Sequence, residues 1–348
     1  MRECWEKKKS AVLGTIIDVE GSVYRKEGAR CLIQQDGRIT GIVSGGCVEK
    51  DLYEYAQDIL KNGTAMLVEY DFRPEDDVIW GMGVGCNGAL TLLLQPFEPV
   101  KNPDLALNIL ESLERIYYSE SSCVIGTVLS SQCEDKIPVG RVLQLDDGLV
   151  ETNSKLCKQY IDGIALELFV ERIKARPRLV IFGAGEDAKP LARIAHFLEW
   201  HVTVVDHRTG LLTKSHFPDT DEFVLASREG YGDVRLPKSA AAVVMTHNYD
   251  IDKMTLGKLI YQNILYLGQL GPCKRLERML GDLQSIGYTI EPFHYEKLHS
   301  PIGLDIGAET PQEIALCIVA EICARRNGRS GLPLREENFQ LATTIEGR

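Results

Sequence analysis

The sequence predicts an α/β protein in which an N-terminal mixed α+β domain with strand hairpins precedes a C-terminal Rossmann-like, doubly wound parallel sheet. Short β-branched runs with Asp-Gly turns fill the first half of the chain, and apolar strands alternate with helical patterns in the second half. A charged stretch that ends in Pro177 lies between the halves. We therefore predict one domain at residues 1–172, a second at residues 173–335 and a polar tail at residues 336–348.

The composition is that of a soluble globular protein. Of its 348 residues, 44% are apolar and 26% are charged. There is neither an apolar run long enough for a transmembrane helix nor an N-terminal signal-peptide pattern, so we expect a cytoplasmic protein. The net charge of −11 argues against a nucleic-acid partner, because the recognition of phosphates needs a basic face.

The cysteines and histidines limit the possible chemistry. The ten cysteines form no Cys-x-x-Cys spacing or zinc pattern, which predicts reduced thiols that are mostly buried. All seven histidines lie between His196 and His299. Histidine-based acid–base catalysis is therefore excluded from the N-terminal domain.

The N-terminal domain begins with strands and turns. The apolar, β-branched run from Ala11 predicts a strand, and Asp36-Gly37 between two further runs predicts a hairpin. Apolar residues from Glu49 to Leu60 have helical spacing, and Asn62-Gly63 predicts the helix end. Ala89 to Leu94 predicts another strand.

A weak internal repeat follows, with AVLGTI matching CVIGTV and GARCLIQQDG resembling GRVLQLDDG. Its glycines recur at a nearly constant offset, Gly14 with Gly126, Gly28 with Gly140, and Gly37 with Gly148. The pattern indicates two related strand–hairpin units, although two hairpins of independent origin would also match because short strand patterns are degenerate. The second copy has no counterpart of the Ser44–Cys47 stretch, so any chemistry would belong to the first.

The C-terminal domain opens with a phosphate-loop pattern. The strand RLVIF leads into Gly183-Ala184-Gly185-Glu186-Asp187-Ala188, which fits G-x-G-x-x-A. Gly183 would permit the tight turn, and Gly185 would let a phosphate approach the backbone at a helix N-terminus. The pattern predicts binding of a dinucleotide or of another phosphate-bearing cofactor with a flat heterocycle. A vestigial site is the alternative, because the two carboxylates of the loop disfavour an anion.

Two further side chains follow strands of this domain. Asp206 ends the second strand, where it could accept hydrogen bonds from ribose hydroxyls. His247 follows the strand AAAVVMT, with Asp250 and Asp252 after it, so it is a candidate for polar contact or metal ligation. An ordinary surface loop is the alternative for His247. Thr310-Pro311 followed by Glu313 predicts the start of the last helix through a capping box.

Two cysteines are surrounded by glycine. Cys47 follows Ser44-Gly45-Gly46, and Cys86 follows Gly85 in a stretch with four glycines. Dense glycine lets a ligand approach the backbone closely, and Cys47 precedes a predicted helix, whose N-terminus would favour a thiolate. Both cysteines are candidates for binding a soft metal or carrying sulfur. A small buried residue in a tight turn is the alternative for each.

These stretches together resemble the XdhC/CoxI family, the accessory factors of xanthine and carbon monoxide dehydrogenases. The resemblance covers nearly the whole chain in the family's order. In the N-terminal domain it rests on Gly21–Arg25, Gly28-Ala29-Arg30, Ser44–Glu49 and Gly83–Gly88. In the C-terminal domain it rests on Gly183-Ala184-Gly185, Thr246-His247, Tyr266-Leu267-Gly268 with Leu270-Gly271, and Pro301–Ala308.

The resemblance implies a chaperone, itself not catalytic, that binds the molybdenum cofactor, supports exchange of an oxo ligand for sulfur, and delivers the cofactor. The implied partners are the apoenzyme of a xanthine dehydrogenase-type molybdenum hydroxylase, a cysteine desulfurase-type sulfur donor and a second copy in a homodimer. Cys86 would lie next to molybdenum, with Cys47 as the other candidate thiol. The candidate cofactor-binding residues are Arg30, Ser44, Gly45, Gly46, Gly85, Gly183, Gly185, Asp206 and His247.

Two departures from the family pattern leave the ligand of the Rossmann-like domain open between molybdenum cofactor, NAD and another nucleotide. Pro272-Cys273 stands where the family usually has a small residue and a basic one, and Glu186-Asp187 stands where uncharged residues are more frequent. The alternative function is an NAD-dependent oxidoreductase, in which His247 would be the acid or base. Against it, the most unusual motifs lie in the other domain.

Overall fold

The computed structural model describes residues 1–46, 48–73, 87–149 and 154–335. Its contacts divide the chain into two compact units, Met1–Ala175 and Arg176–Arg348. Antiparallel sheets form the first unit and one parallel sheet forms the second, so the predicted fold class is confirmed.

The first unit contains three helices and nine strands in its described residues. They are α1 (Arg2–Glu6), α2 (Glu49–Asn62), α3 (Pro103–Tyr118), β1 (Ala11–Ser22), β2 (Arg30–Gln34), β3 (Ile39–Gly41), β4 (Met66–Asp71), β5 (Asn87–Phe97), β6 (Cys123–Ser131), β7 (Val142–Leu145), β8 (Ser154–Ile161) and β9 (Ile164–Ile173). The predicted hairpin at Asp36-Gly37 is confirmed as the β2–β3 turn. The predicted helix end is also confirmed, because Gly63 caps α2 in the left-handed conformation.

Helix α3 was not predicted from the sequence, although Asn102 and Pro103 are a helix-start signal. The Asn102 side chain accepts a hydrogen bond from the backbone N–H of Leu105 at 3.3 Å. Buried Ile109 of this helix packs with apolar side chains of both sheets, including Leu13 and Ile125. The helix therefore contributes to a core that the two sheets share.

The two antiparallel sheets of the first unit have matching strand orders. One sheet has the order β3-β2-β1-β5-β4 and the other has β7-β6-β9-β8. In each, the long central strand carries a bulge, between Ile16 and Asp18 in β1 and between Val128 and Ser130 in β6. The sheets therefore repeat one another strand by strand, from β2-β1-β5-β4 to β7-β6-β9-β8.

The glycines of the repeat occupy equivalent backbone positions. Gly28 and Gly140 have positive φ angles of 82° and 85°. The N–H of Gly28 donates to the carbonyl of Ile16 at 2.8 Å, and that of Gly140 donates to Val128 at 2.8 Å. A left-handed residue before the second strand is thus required twice, and glycine adopts this conformation at least cost.

Each sheet supplies a buried polar side chain to the glycine turn of the other. The Gln95 amide on β5 donates to the Gly140 carbonyl at 3.0 Å. In the reverse direction, Glu171 on β9 pairs with Arg30, whose guanidinium also donates to the Gly28 carbonyl at 2.9 Å. Arg30, a candidate cofactor-binding residue, therefore uses its charge in a contact between the sheets.

The second unit contains four helices and six strands in its described residues. They are β10 (Arg178–Phe182), β11 (His201–Asp206), β12 (Glu222–Leu225), β13 (Ala240–Val244), β14 (Tyr266–Gln269), β15 (Leu298–His299), α4 (Ala188–Phe197), α5 (Tyr249–Leu259), α6 (Cys273–Ser285) and α7 (Pro311–Arg326). All strands are parallel, in the order β12-β11-β10-β13-β14-β15. Helices α4 and α7 cover one face, and α5 and α6 cover the other. The strand order reverses between β10 and β13, which is where such sheets bind ligands.

Replacing Glu171 by Leu should lower the free energy of unfolding by about 3 kcal/mol, because Arg30 would keep a largely buried charge without its partner. Urea unfolding of the two proteins measures the difference. Asp58→Ala is the control, since the Lys61–Asp58 pair is exposed and its loss should cost less than about 1 kcal/mol. Equal losses in the two variants would contradict the role given to the buried pair.

Candidate functional site

The loop after β10 has two glycines with different physical roles. Gly183 has a φ angle of 120°, and a Cβ there would lie 2.6 Å from the carbonyl oxygen of Met245. Close packing of two strand ends therefore requires Gly183. At Gly185 a Cβ would meet side chains, an Asp187 carboxylate oxygen at 2.6 Å and a His247 ring carbon at 3.8 Å. The space above Gly185 is therefore bordered by Asp187 and His247, and its use by a phosphate stays a prediction.

Asp206 binds the glycine loop from beneath. Its carboxylate is 1% exposed and accepts hydrogen bonds from the backbone N–H of Ala184 at 2.7 Å and from the Arg208 guanidinium at 2.8 and 2.9 Å. Burial raises the pKa of Asp206, but these hydrogen bonds outweigh burial and hold it at about 2. Both oxygens are therefore occupied by this chain, and a ribose would have to displace Arg208 to reach them.

An ion pair joins the loops that follow β10 and β13. Nε2 of His247 lies 2.8 Å from the Asp187 carboxylate, and His247 has a φ angle of 60°, which is uncommon for a residue with a side chain. The other acid of the glycine loop, Glu186, pairs with Lys189 at 2.8 Å. Both loop carboxylates thus have partners within this chain, and His247 is held at the switch point of the sheet.

Asp252 fixes the His247 loop from within α5. Its carboxylate is 1% exposed and accepts from the N–H and hydroxyl of Thr246, at 3.0 and 2.6 Å, and from Arg275 at 2.7 Å. Asp250 is exposed. No group of three or more His, Cys, Asp or Glu side chains in the described part of the chain is placed to hold a metal ion. Asp252 therefore acts as a buried support for the loop.

Glu321, which was not singled out from the sequence, supports the loop after β15 as Asp252 supports the His247 loop. Its carboxylate accepts from the Tyr266 hydroxyl, lies 3.0 Å from Nδ1 of His299 and accepts from the Gly303 N–H at 2.9 Å. Burial raises the pKa of Glu321, but these hydrogen bonds outweigh it and lower the pKa overall. A Cβ on Gly303 would lie 2.4 Å from Sγ of Cys317, which explains why a glycine stands at this position of the Pro301–Ala308 stretch.

In the first unit, Ser44 and Glu49 shape the turn before α2. The Ser44 hydroxyl donates to the Glu49 carboxylate at 2.8 Å and accepts from the Gly46 N–H at 3.2 Å. The same carboxylate accepts from the Val48 N–H at 3.2 Å. The Glu49 carboxylate therefore binds both the start of the Ser44–Glu49 stretch and the backbone just before its end.

The glycines of this turn leave space around the backbone. Among the described residues, a Cβ on Gly46, whose φ angle is 108°, would meet nothing within 4 Å, and one on Gly45 would meet a Tyr24 ring atom at 3.9 Å. The candidate residues Cys47, Gly85 and Cys86 lie outside the described residues. The predicted roles of the two thiols stay predictions.

Replacing Asp206 by Asn should destabilise the fold in a pH-dependent manner. The pKa of Asp206 is about 2 in the folded protein against 3.8 for an ordinary Asp, so its ionised form stabilises the folded state at neutral pH, by about 2 kcal/mol. This stabilisation is complete above about pH 4 and is lost as the pH falls toward 2. Urea unfolding at pH 7 and at acidic pH should show a gap between the proteins that narrows on acidification. A gap independent of pH would contradict the assignment.

Comparison with known proteins identifies both units. The family model described as the XdhC and CoxI family matches residues 4–71, and that of the XdhC Rossmann domain matches residues 179–322. A relative from Bacillus subtilis, named as a probable subunit of xanthine dehydrogenase, is 35% identical over 92% of this chain and 94% of its own. The molybdenum cofactor insertion chaperone PaoD of Escherichia coli is 24% identical over 91% of this chain and 84% of its own.

A solved structure agrees with these matches. The crystal structure of a xanthine dehydrogenase from Bacillus halodurans is 31% identical, covers 94% of this chain and 96% of its own, and superposes with a TM-score of 0.70. None of the described helices is long and apolar enough to cross a lipid bilayer. With a relative above 30% identity along nearly its whole length and both units matched, the chain belongs to the XdhC and CoxI family.

Proposed function

We propose that this protein is an accessory factor for a molybdenum hydroxylase of the xanthine dehydrogenase type. It binds the molybdenum cofactor, supports sulfuration of the cofactor and delivers it to the apoenzyme in the cytoplasm. The names of its relatives, a molybdenum cofactor insertion chaperone and a probable xanthine dehydrogenase subunit, support this class of function. A cysteine desulfurase-type protein would supply the sulfur, and the chain would act as a homodimer.

One observation carries the proposal: the ionisable side chains at the crevice of the second unit are bonded to one another. Asp206 binds Arg208, Asp252 binds Arg275, and Asp187 binds His247. Asp206 and Asp252 are buried in these pairs, so both carboxylates fix loops and neither is available to act on a substrate. A crevice of this kind suits the binding of a cofactor that is carried as cargo.

The residues present fit such a cargo. Molybdopterin combines a phosphate, a flat pterin and a dithiolene that holds molybdenum. The space above Gly185 would take the flat ring, bordered by the Asp187 carboxylate at 2.6 Å and the His247 ring at 3.8 Å from a Cβ placed there. The thiols of Cys47 and Cys86 would serve the molybdenum end, next to a turn at Gly45 and Gly46 that leaves room for a ligand. The oxidoreductase alternative loses its expected ribose acceptor, because Asp206 is buried and fully bonded.

Mixing this protein with apo-hydroxylase, molybdenum cofactor and a sulfur donor should restore hydroxylase activity faster or more fully than mixing without it. The Cys86→Ala and Cys47→Ala variants should retain less molybdenum and restore less activity, while Cys133→Ala serves as the control because that half-buried thiol follows β6 in the second sheet. If the double variant Cys47→Ala/Cys86→Ala retains the cofactor and sulfurates it like the parent, the proposed role of the thiols fails. If the parent itself gives no restoration, the accessory role fails.

Replacing Gly185 by Val should abolish or strongly weaken cofactor binding without unfolding the protein, because a branched side chain would occupy the approach to the loop. Pterin fluorescence of the purified protein measures the bound cofactor, and thermal unfolding checks the fold. Gly210→Val is the matched control, since a Cβ at Gly210 meets nothing within 4 Å. Unchanged cofactor binding by a folded Gly185→Val variant would show that the ligand does not use this loop.

A further inference from the structure

The start of α6 has a charge pattern that opposes the helix dipole. The helix has 13 residues, its N-cap is Pro272 with no capping side chain, and its first turn contains no acid. Lys274 and Arg275 stand there instead. The first N–H groups of a helix have no partner within the helix and carry partial positive charge, so cations next to them destabilise it. An anion bound at this end would accept hydrogen bonds from the unpaired N–H groups and would offset the charge of the cations.

The other helix starts of the unit differ from this one. Asn248 caps α5 and Thr310 caps α7 through their side chains. At the start of α4, the carboxylates of Glu186 and Asp187 already lie near the helix N-terminus and are paired with Lys189 and His247. The glycine loop therefore repels a second anion, whereas the start of α6 attracts one.

Two buried polar atoms, each without a partner among the described residues, belong to the chain segments next to this helix start. Gln269 is fully buried, its amide nitrogen donates to the Leu270 carbonyl, and its oxygen Oε1 has no partner among the described residues. The Ser300 hydroxyl is also buried and unpartnered within the described part of the chain. Native proteins rarely leave such atoms unpaired, so each indicates a missing hydrogen-bond partner.

The topology of the sheet brings these atoms to the start of α6. Gly268 pairs with His299 in the β14–β15 ladder, so Gln269 and Ser300 are the next residues on two neighbouring strands. The thiol of Cys273, the first residue of α6, lies 3.8 Å from the Ser300 carbonyl oxygen. Cys273 is exposed, so a group that enters here would contact and cover its thiol.

The cations at this end are only partly compensated. Arg275 pairs with the buried carboxylate of Asp252 at 2.7 Å. Lys274 and Arg278 are both exposed and form no ion pair with any residue that the structure describes. The Arg278 guanidinium lies 5.0 Å from the centre of the Tyr249 ring.

We propose that the start of α6 binds a phosphate monoester. The first backbone N–H groups of the helix and the Ser300 hydroxyl would donate to the phosphate oxygens, and Lys274 and Arg278 would balance their charge. A phosphate monoester near neutral pH retains a proton in part of its population, and Gln269 Oε1 would accept the hydrogen bond from that P–OH group. The identity of the monoester rests on the proposed function: it is the terminal phosphate of the cofactor, held at α6 and not at the glycine loop.

Titration of the full-length protein with inorganic phosphate tests the site without any cofactor. Binding is followed by the 31P line width and by protection of Cys273 from iodoacetamide, measured on its peptide by mass spectrometry. We expect phosphate to protect Cys273 and the Lys274→Gln/Arg278→Gln variant to bind about tenfold more weakly, the effect of losing one to two charge-assisted hydrogen bonds. Ser300→Ala should weaken binding less. Lys189→Gln is the matched control, because it removes a cation from the first turn of α4.

Absence of phosphate binding and of Cys273 protection in the parent protein would overturn the proposal. So would weaker binding in Lys189→Gln together with unchanged binding in Lys274→Gln/Arg278→Gln, since that result places the anion on the glycine loop. Both lysines and Arg278 lie at the surface, and thermal unfolding confirms that each variant is folded. Reconstitution of the apo-hydroxylase is measured separately, so a failed phosphate site leaves the accessory role standing, and a failed accessory role leaves phosphate binding unaffected.

Discussion

Three carboxylates, two buried and one half-buried, hold the loops at the carboxyl edge of the parallel sheet, and the candidate site depends on them. Asp206 accepts the N–H of Ala184 in the loop after β10, Asp252 accepts the N–H of Thr246 after β13, and Glu321 accepts the N–H of Gly303 after β15. Each also binds a basic side chain: Arg208, Arg275 and His299 respectively. Burying a carboxylate is costly unless it is paired and hydrogen-bonded, so each one fixes its loop in the position that satisfies it.

Fixed loops suit a protein that receives and releases a bound molecule. Groups already in position lose little conformational entropy when a ligand binds, and their internal pairs keep the crevice stable without a ligand. The start of α6 is the exception, because Lys274 and Arg278 form no ion pair, and the buried side-chain oxygens of Gln269 and Ser300 form no hydrogen bond, with the described residues.

The first unit contains two sheets of matching strand order, and one of them carries the turn at Ser44–Glu49. Gln95 donates to the Gly140 carbonyl, and Glu171 reaches the Gly28 turn through Arg30, so the two contacts cross between the sheets in opposite directions. The first copy adds α2 and the turn closed by Ser44, whose hydroxyl and whose neighbouring backbone share one carboxylate. Reciprocal contacts of this kind stabilise both copies, so one copy can hold a glycine-rich turn that contributes little to the core.

Local signals in the sequence determined the local structure. Asp36-Gly37 gave its hairpin, Gly63 ended α2, and the box of Thr310 and Glu313 started α7, because each depends on residues within one turn of the chain. The start of α3 has a local signal of the same kind, although the helix was not predicted. The alternation of strands and helices also sufficed for the parallel sheet and for the position of the glycine loop.

Only the tertiary structure decided what the polar residues do. Asp206 ends its strand as predicted, yet it faces the loop and Arg208, and Arg30 proved to be the partner of Glu171. Glu321 accepts the N–H of Gly303, and Cys273 contacts Ser300, although the residues of each pair are far apart in the sequence. A hydrogen bond depends on which groups meet in space, and sequence spacing carries that information only within a turn or a hairpin. The partners of buried charges are chosen by strand order and register, so folding alone reveals them.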